Sequence, residues 1–225
     1  MLLPNLKPLT LGRGNLPIYS KTMKIETIEI AGLAGALTAL RLPFGKDMRS
    51  RIEHFYDAYF NFTDMDLEKA EDTYKVIMTG HPRFTSNTNI YIDPKDLSLM
   101  TTLVKRGDEH AKVVRGIMVW AKITAPVYWW CEEETYRMGH ERLASESTMH
   151  IDCRGLAGSE LQEAKSAIPM GKELTKVDMF SYQALRKMVA QRHNHRLPEW
   201  HEFVDWVRTL PLAEELIFVG LNLEE

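Results

Sequence analysis

Cysteine is scarce: Cys131 and Cys153 are the only two in 225 residues, and they form neither a CxxC pair nor a zinc-ribbon spacing. A disulfide framework is excluded, and a reducing compartment, the cytoplasm, is expected. Long apolar runs are also missing. The longest, Ile30 to Leu40, has 11 residues, holds Gly32 and Gly35, and stops at Arg41. Spanning a bilayer takes about 20 residues, so no membrane association is expected. The N-terminus Met1-Leu2-Leu3-Pro4-Asn5 has neither a basic stretch nor a small-residue cleavage site, so no secretion signal is read. No block of five like charges occurs, and 28 basic residues face 31 acidic ones, a formal charge of −3. That excludes a polyanion-binding tail, and no nucleic-acid polymer is expected as partner. HEXXH, GXSXG, P-loop and GXGXXG patterns are absent, and Gly32-Leu33-Ala34-Gly35 is too weak for a dinucleotide signature.

What is present is an ordinary globular composition, 44% hydrophobic and 26% charged. A chain of this size buries a core without disulfide or metal support. No linker or repeat divides it, so residues 1–225 read as one domain, with 1–20 an irregular arm rich in proline and glycine. Lys24 to Ile30 alternates weakly, as a strand would. Ile30 to Leu42 suits either a buried strand pair or a tight helix. Asp66 and the acidic residues after it suit a helix start, and Gly80-His81-Pro82 its stop. Asp93-Pro94 opens a helix that Lys105-Arg106-Gly107 closes. A helix from Asp108 would put Ala111, Val114, Ile117, Met118 and Ala121 on one face. Another would run from Pro126 to Met138 and end at Gly139. His140 to Gly158 has no clean period and reads as a polar loop. Met179, Tyr182, Leu185, Met188 and Val189 form a stripe ending near Arg192. Pro198 opens a helix carrying Trp200, Phe203, Val204 and Val207, and Pro211 a short final one. The fold class is α+β, with helices dominant over a modest sheet.

Three clusters bear chemistry. Arg137, His140, Arg142, Ser145, Ser147 and His150 crowd around a helix end. Guanidinium forks and hydroxyls are what a phosphate needs, although a solvated loop with salt bridges explains them too. Arg192-His193-Asn194-His195-Arg196 suits a helix C-terminus, where cations meet the dipole. His193 and His195 lack a supporting cysteine or paired carboxylate, and no metal is expected. Tyr128-Trp129-Trp130 precedes Glu132-Glu133-Glu134. One tryptophan at least is expected in the core, and the glutamates on an exposed face.

The first cluster resembles the flavin-dependent thymidylate synthases, whose signature reads Arg-His-Arg-x-x-Ser-x-Asn-Glu-x-Ser-x-Arg. Here the chain reads His140-Glu141-Arg142-Leu143-Ala144-Ser145. Arg142 and Ser145 match. His140 stands for the first arginine, Glu141 for the histidine, Ser147 for the asparagine, Thr148 for the glutamate, His150 for the second serine and Asp152 for the final arginine. In that family a long helix also ends in an arginine before a helix rich in Trp and Glu, as Gln191-Arg192 precedes Pro198-Glu199-Trp200 here. Thr124 to His150 is similar to a divergent branch carried by phages and gut bacteria. The resemblance implies a homotetramer with active sites between subunits, binding FAD and deoxyuridine monophosphate (dUMP). Arg142, Ser145 and Ser147, with Arg137 or His140 nearby, would hold the phosphate, and Arg192 would face the base. It implies reductive methylation of a dUMP-like nucleotide or, alternatively, a nucleotide-binding or sequestering protein of the same fold without turnover. A third possibility is a structural or regulatory oligomer with an empty cleft. The five tryptophans, more than a small helical core readily hides, also suggest self-association. On this reading Arg142→Ala would weaken nucleotide affinity roughly 10- to 150-fold and leave the melting temperature nearly unchanged.

Overall fold

The computed structural model describes residues 23–55, 75–79 and 87–223. The expected N-terminal arm, the helix start at Asp66 and the stop at Gly80-His81-Pro82 lie outside them. The described chain is α+β. Strand β1 (Lys24–Ala31) leads into helix α1 (Leu33–Leu40), then β2 (Arg51–Phe55), β3 (Lys75–Thr79) and β4 (Asn87–Ile92). Helix α2 (Pro94–Lys105), β5 (Met118–Pro126), α3 (Val127–Glu133), β6 (His140–Ser145) and α4 (Thr148–Ile151) follow. The chain continues through α5 (Gly158–Ser166), β7 (Glu173–Ser181), α6 (Tyr182–Arg192) and α7 (Pro198–Arg208), and a π-turn covers Glu214–Phe218.

Two antiparallel sheets result. One orders its strands β1-β5-β7-β6, and the other β2-β4-β3. Helices α3, α6 and α7 carry much of the apolar cover. Trp129, Trp130, Trp200, Phe203 and Phe180 are at most 1% exposed and meet edge to face or tilted, with Trp129 4.9 Å from both Trp130 and Trp200. Such aromatic contacts add to what burial alone contributes. Trp206 is buried as well, while Trp120 on β5 is half-buried. Four of the five tryptophans are therefore hidden inside a single chain, and their number gives no sign of self-association.

Local signals were reliable where a cap fixed them. Asp93 accepts a hydrogen bond from the Lys95 amide at 2.7 Å, and Pro94 occupies the first turn of α2. Ser181 caps α6 in the same way, taking the Ala184 amide at 3.1 Å. Pro198 opens α7 and Trp200, Phe203, Val204 and Val207 face inward. Lys24–Ala31 is a strand, and Leu33–Leu40 takes the helical alternative.

Four expectations are corrected. The helix expected from Asp108 is a 3₁₀ turn, Lys112–Arg115, followed by the central strand β5. Val119, Ala121, Ile123 and Ala125 are buried in alternation, so a period of two wins once the strand is paired on both sides. Helix α3 ends at Glu133 instead of reaching Met138. His140 to Ser145 is not a loop but the edge strand β6, paired with β7. Met179 belongs to β7, because the stripe assigned to one helix begins with strand residues before the Ser181 cap.

Tyr182 links this sheet to the C-terminal turn. It is 1% exposed, and its hydroxyl donates to the Pro211 carbonyl at 2.7 Å, while burial raises its pKa above the usual phenol value. Tyr182→Phe leaves that carbonyl without its donor and should lower stability by about 1–2 kcal/mol. Chemical denaturation with an unchanged midpoint would contradict this.

Candidate functional site

A cleft of about 390 Å³ opens beside the edge strand, lined by Glu134, Tyr136, Arg137, His140, Glu141 and Arg142. Its position follows from local rules. Helix α3 starts after Pro126 and puts Trp129, Trp130 and Glu133 on its inner face, at i, i+1 and i+4. The chain then turns through Gly139, whose φ of 76° is in the left-handed region. A Cβ there would meet Ser181 Oγ at 2.3 Å, so this turn requires glycine. Strand β6 follows, pairing His140 with Phe180 and Arg142 with Asp178.

Beneath the cleft lies a cluster of charges. Glu133 and Asp178 are fully buried, and the His140 side chain is 6% exposed. Arg142 donates from Nη2 to Glu133 Oε2 at 2.9 Å, from Nη1 to Glu134 Oε1 at 2.6 Å, and from Nε to Asp178 Oδ1 at 3.2 Å. Lys176, buried over the Trp130 ring, also donates to Glu134 Oε1 at 2.9 Å. His140 Nε2 lies 3.0 Å from Glu133 Oε1 and 3.6 Å from Asp178 Oδ2, while Nδ1 sits 2.7 Å from the Tyr136 carbonyl. The imidazole stacks on Phe180 at 4.7 Å, the rings 7° from parallel.

The electrostatics follow from this crowding. Burial opposes the imidazolium, but the Asp178 and Glu133 carboxylates outweigh it and push the pKa of His140 up to about 10. Glu133 shows the opposite balance. Burial raises its pKa despite the histidine and arginine beside it. At Glu134 the Lys176 hydrogen bond dominates and the pKa falls.

The expected site residues are only partly brought together. Arg137, His140 and Arg142 line the cleft. Arg137 is exposed on its rim and has no ion-pair partner among the described residues. Ser145 closes the far end of β6, about 16 Å from His140 for an extended strand. Its hydroxyl donates to the Glu146 carbonyl at 2.9 Å. Ser147 precedes α4 without a side-chain cap bond, and His150 is exposed on that helix. Arg192 ends α6, donating to Glu132 Oε2 and the Tyr136 hydroxyl at 2.8 Å each while lying over Trp200. A loop would have let these groups converge; an extended strand holds its two ends apart.

Glu133 and Asp178 were missed in the sequence. The glutamate run by itself suits an exposed face, yet helical spacing aligns Glu133 with Trp129 and Trp130. Asp178 follows the period-two alternation Lys176, Asp178, Phe180, all three buried. Among the described residues, His193 and His195 fall in no group of three potential metal ligands. His195 Nε2 instead approaches Glu132 Oε2 at 3.3 Å. Both cysteines are free thiols.

No family model matches the sequence, and no curated protein matches it. Solved structures do. Thymidylate synthase X from Helicobacter pylori, solved with FAD and dUMP, superposes with a TM-score of 0.55 at 11% identity, covering 90% of this chain and all of the other. This chain has the fold of the flavin-dependent thymidylate synthases. A second structure of the H. pylori enzyme complexed with FAD and dUMP gives 0.56 at 10% identity, over 88% and 99% of the two chains. The UMP/dUMP methylase PolB from Streptomyces cacaoi, bound with 5-Br dUMP, gives 0.54 at 10%, over 89% and 96%. The α+β architecture and the divergent likeness expected from the His140–Ser145 segment are both shown at the level of the fold. Among the described residues no helix is long and apolar enough to cross a membrane.

The single-chain cleft does not fit FAD by itself. A diphosphate carries two negative charges, and among the described residues Arg137 is the one lining guanidinium free of carboxylates, because Arg142 is held by three of them. Glu134 and Glu141 line the same cleft.

Proposed function

We propose that this protein binds a pyrimidine deoxynucleotide of the dUMP type in the β6 cleft. The observation that carries this is Arg137, a guanidinium without an ion-pair partner among the described residues, on the rim of a cleft of about 390 Å³ in a fold whose solved neighbours hold dUMP. A phosphate gives up strong hydration on binding and requires charge-assisted donors in return. Arg137 supplies a planar fork, with His140 on the wall beside it. Arg142 shapes the floor through Glu133 and Asp178, and Arg192 holds Tyr136 in place from behind. Ser145, Ser147 and His150, at the other end of β6, would reach a nucleotide only across a subunit boundary. A homotetramer would keep them in the site on that basis, and a flavin would need the same shared boundary. The fold supports reductive methylation with FAD as the activity of such an assembly. The one-chain cleft supports binding without turnover. The cytoplasm is the compartment proposed, and residues 1–225 are taken as one domain.

Calorimetric titration with dUMP tests the reading. Arg137→Ala should weaken binding roughly 10- to 150-fold, the effect of losing one charged donor at about 1.5–3 kcal/mol. Deoxyuridine, which lacks the phosphate, should not distinguish the two proteins. Equal dUMP affinity in wild type and Arg137→Ala would reject the site. A flavin absorbance that persists through purification, with a mass four times that of the chain in light scattering, would support the enzyme form.

A further inference from the structure

We propose that Glu133, His140 and Asp178 form a binding site for a divalent transition-metal cation of the Zn²⁺ type on the floor of the cleft. Each residue turns one ligand atom toward the other two, and the three atoms lie within 4.8 Å of one another. These same atoms, Glu133 Oε1, His140 Nε2 and Asp178 Oδ2, are buried and have no partner outside the trio. Buried polar atoms are normally satisfied, and here the three look only to one another.

The rest of the cluster orients these three ligand atoms. Arg142 occupies the other oxygen of each carboxylate, Glu133 Oε2 and Asp178 Oδ1. The Tyr136 carbonyl lies 2.7 Å from His140 Nδ1. With the Nδ1 proton donated to that carbonyl, an ion would take the place of the Nε2 proton between the two carboxylates, and its uptake would release that proton. Such a backbone hydrogen bond is how metal-binding histidines are held in the correct tautomer. Phe180 fixes the ring plane by stacking. The spacing also suits an ion. Ligands bonded at about 2.0–2.2 Å lie roughly 3.0–3.5 Å apart around one tetrahedral or octahedral centre. Nε2 is 3.0 Å from Glu133 Oε1 and 3.6 Å from Asp178 Oδ2. One nitrogen and two oxygens suit zinc and its neighbours better than calcium or magnesium, which favour all-oxygen sites. His140 also lines the cleft.

This site does not depend on nucleotide binding, so its test contains no nucleotide. Chelator-treated protein is titrated with Zn²⁺ by calorimetry, and with Co²⁺ by absorption spectroscopy. Wild type should take up one equivalent, and bound Co²⁺ should show the visible absorption of a four- or five-coordinate ion. Glu133→Gln and Asp178→Asn, which preserve shape, should each weaken Zn²⁺ at least about 100-fold, the upper range for losing even an outer partner of a ligand. His201→Gln, an exposed histidine on α7, should bind as wild type does. Circular dichroism of the metal-free proteins establishes that the variants are folded. If either does not fold, the Co²⁺ spectrum of wild type decides. Failure of wild type to take up Zn²⁺, equal affinity in both carboxylate variants, or a Co²⁺ spectrum of the fully hydrated ion would overturn the proposal.

Discussion

Arg142→Ala should lower stability by about 3–5 kcal/mol in metal-free buffer, the usual cost of removing one partner from a buried ion pair. The melting temperature should fall roughly 6–20 °C for a chain of this length. The cause is what remains. Glu133 and Asp178 are fully buried, and each gives one oxygen to Arg142. Without the guanidinium, two carboxylates share the interior with His140 alone. This reverses the expectation drawn from the sequence, where Arg142 was a phosphate ligand whose loss would hardly affect melting. Arg142→Lys should fall between the two, because a lysine ammonium cannot reach Glu133, Glu134 and Asp178 together in the planar geometry of the fork. Glu134→Gln should cost about 1 kcal/mol or less, since that carboxylate is half exposed at 49%. Thermal melts of the three variants check the series. Arg142→Ala melting within 2 °C of wild type would show that the guanidinium does not hold the cluster together.

The second large effect is expected at Asp96 on α2. This side chain is fully buried and accepts four hydrogen bonds. Arg41 Nε donates to Oδ1 at 2.5 Å, while Oδ2 takes the Arg49 amide at 2.7 Å and the Ser50 amide and hydroxyl at 2.8 Å each. It thereby fastens the chain before β2 to the start of α2. An asparagine there would turn its NH₂ either toward three donors or toward Arg41. The loss should be about 3–5 kcal/mol, as for other broken buried pairs. Burial works against the charged form of Asp96, but the Arg41 and Ser50 hydrogen bonds outweigh it and hold its pKa below the usual carboxylate value. The sign of the pH dependence follows. A depressed folded-state pKa contributes stability above the unfolded-state value, and that contribution is lost as pH falls through the folded-state one. Wild type should therefore lose stability on acidification below about pH 4 more steeply than Asp96→Asn. Denaturation midpoints measured from neutral to acid pH check this, and parallel curves for the two proteins would contradict it.

Helices α2 and α7 could be read directly from the chain, because their determinants are neighbours. Asp93-Pro94 and Pro198 fix starting geometry, and the stripes Met100-Val104 and Trp200-Phe203-Val207 bury one face. Strand β5 could not. Ala111, Val114, Ile117, Met118 and Ala121 match a helical period as well as Val119, Ala121 and Ile123 match a strand period. Only pairing with β1 and β7, both distant in sequence, selects the strand. The site divides along the same line. The arginines, the histidine and the likeness of His140–Ser145 to a known signature were visible in the linear order of residues. That Arg142 is committed to carboxylates, while Arg137 has no ion-pair partner among the described residues, was not. Glu133 arrives on a helix, His140 and Arg142 on an edge strand, and Asp178 on the strand beside it. Antiparallel register alone decides which residues stand opposite one another. A shift of one residue in β6 would point His140 and Arg142 to the other face and dissolve the cluster.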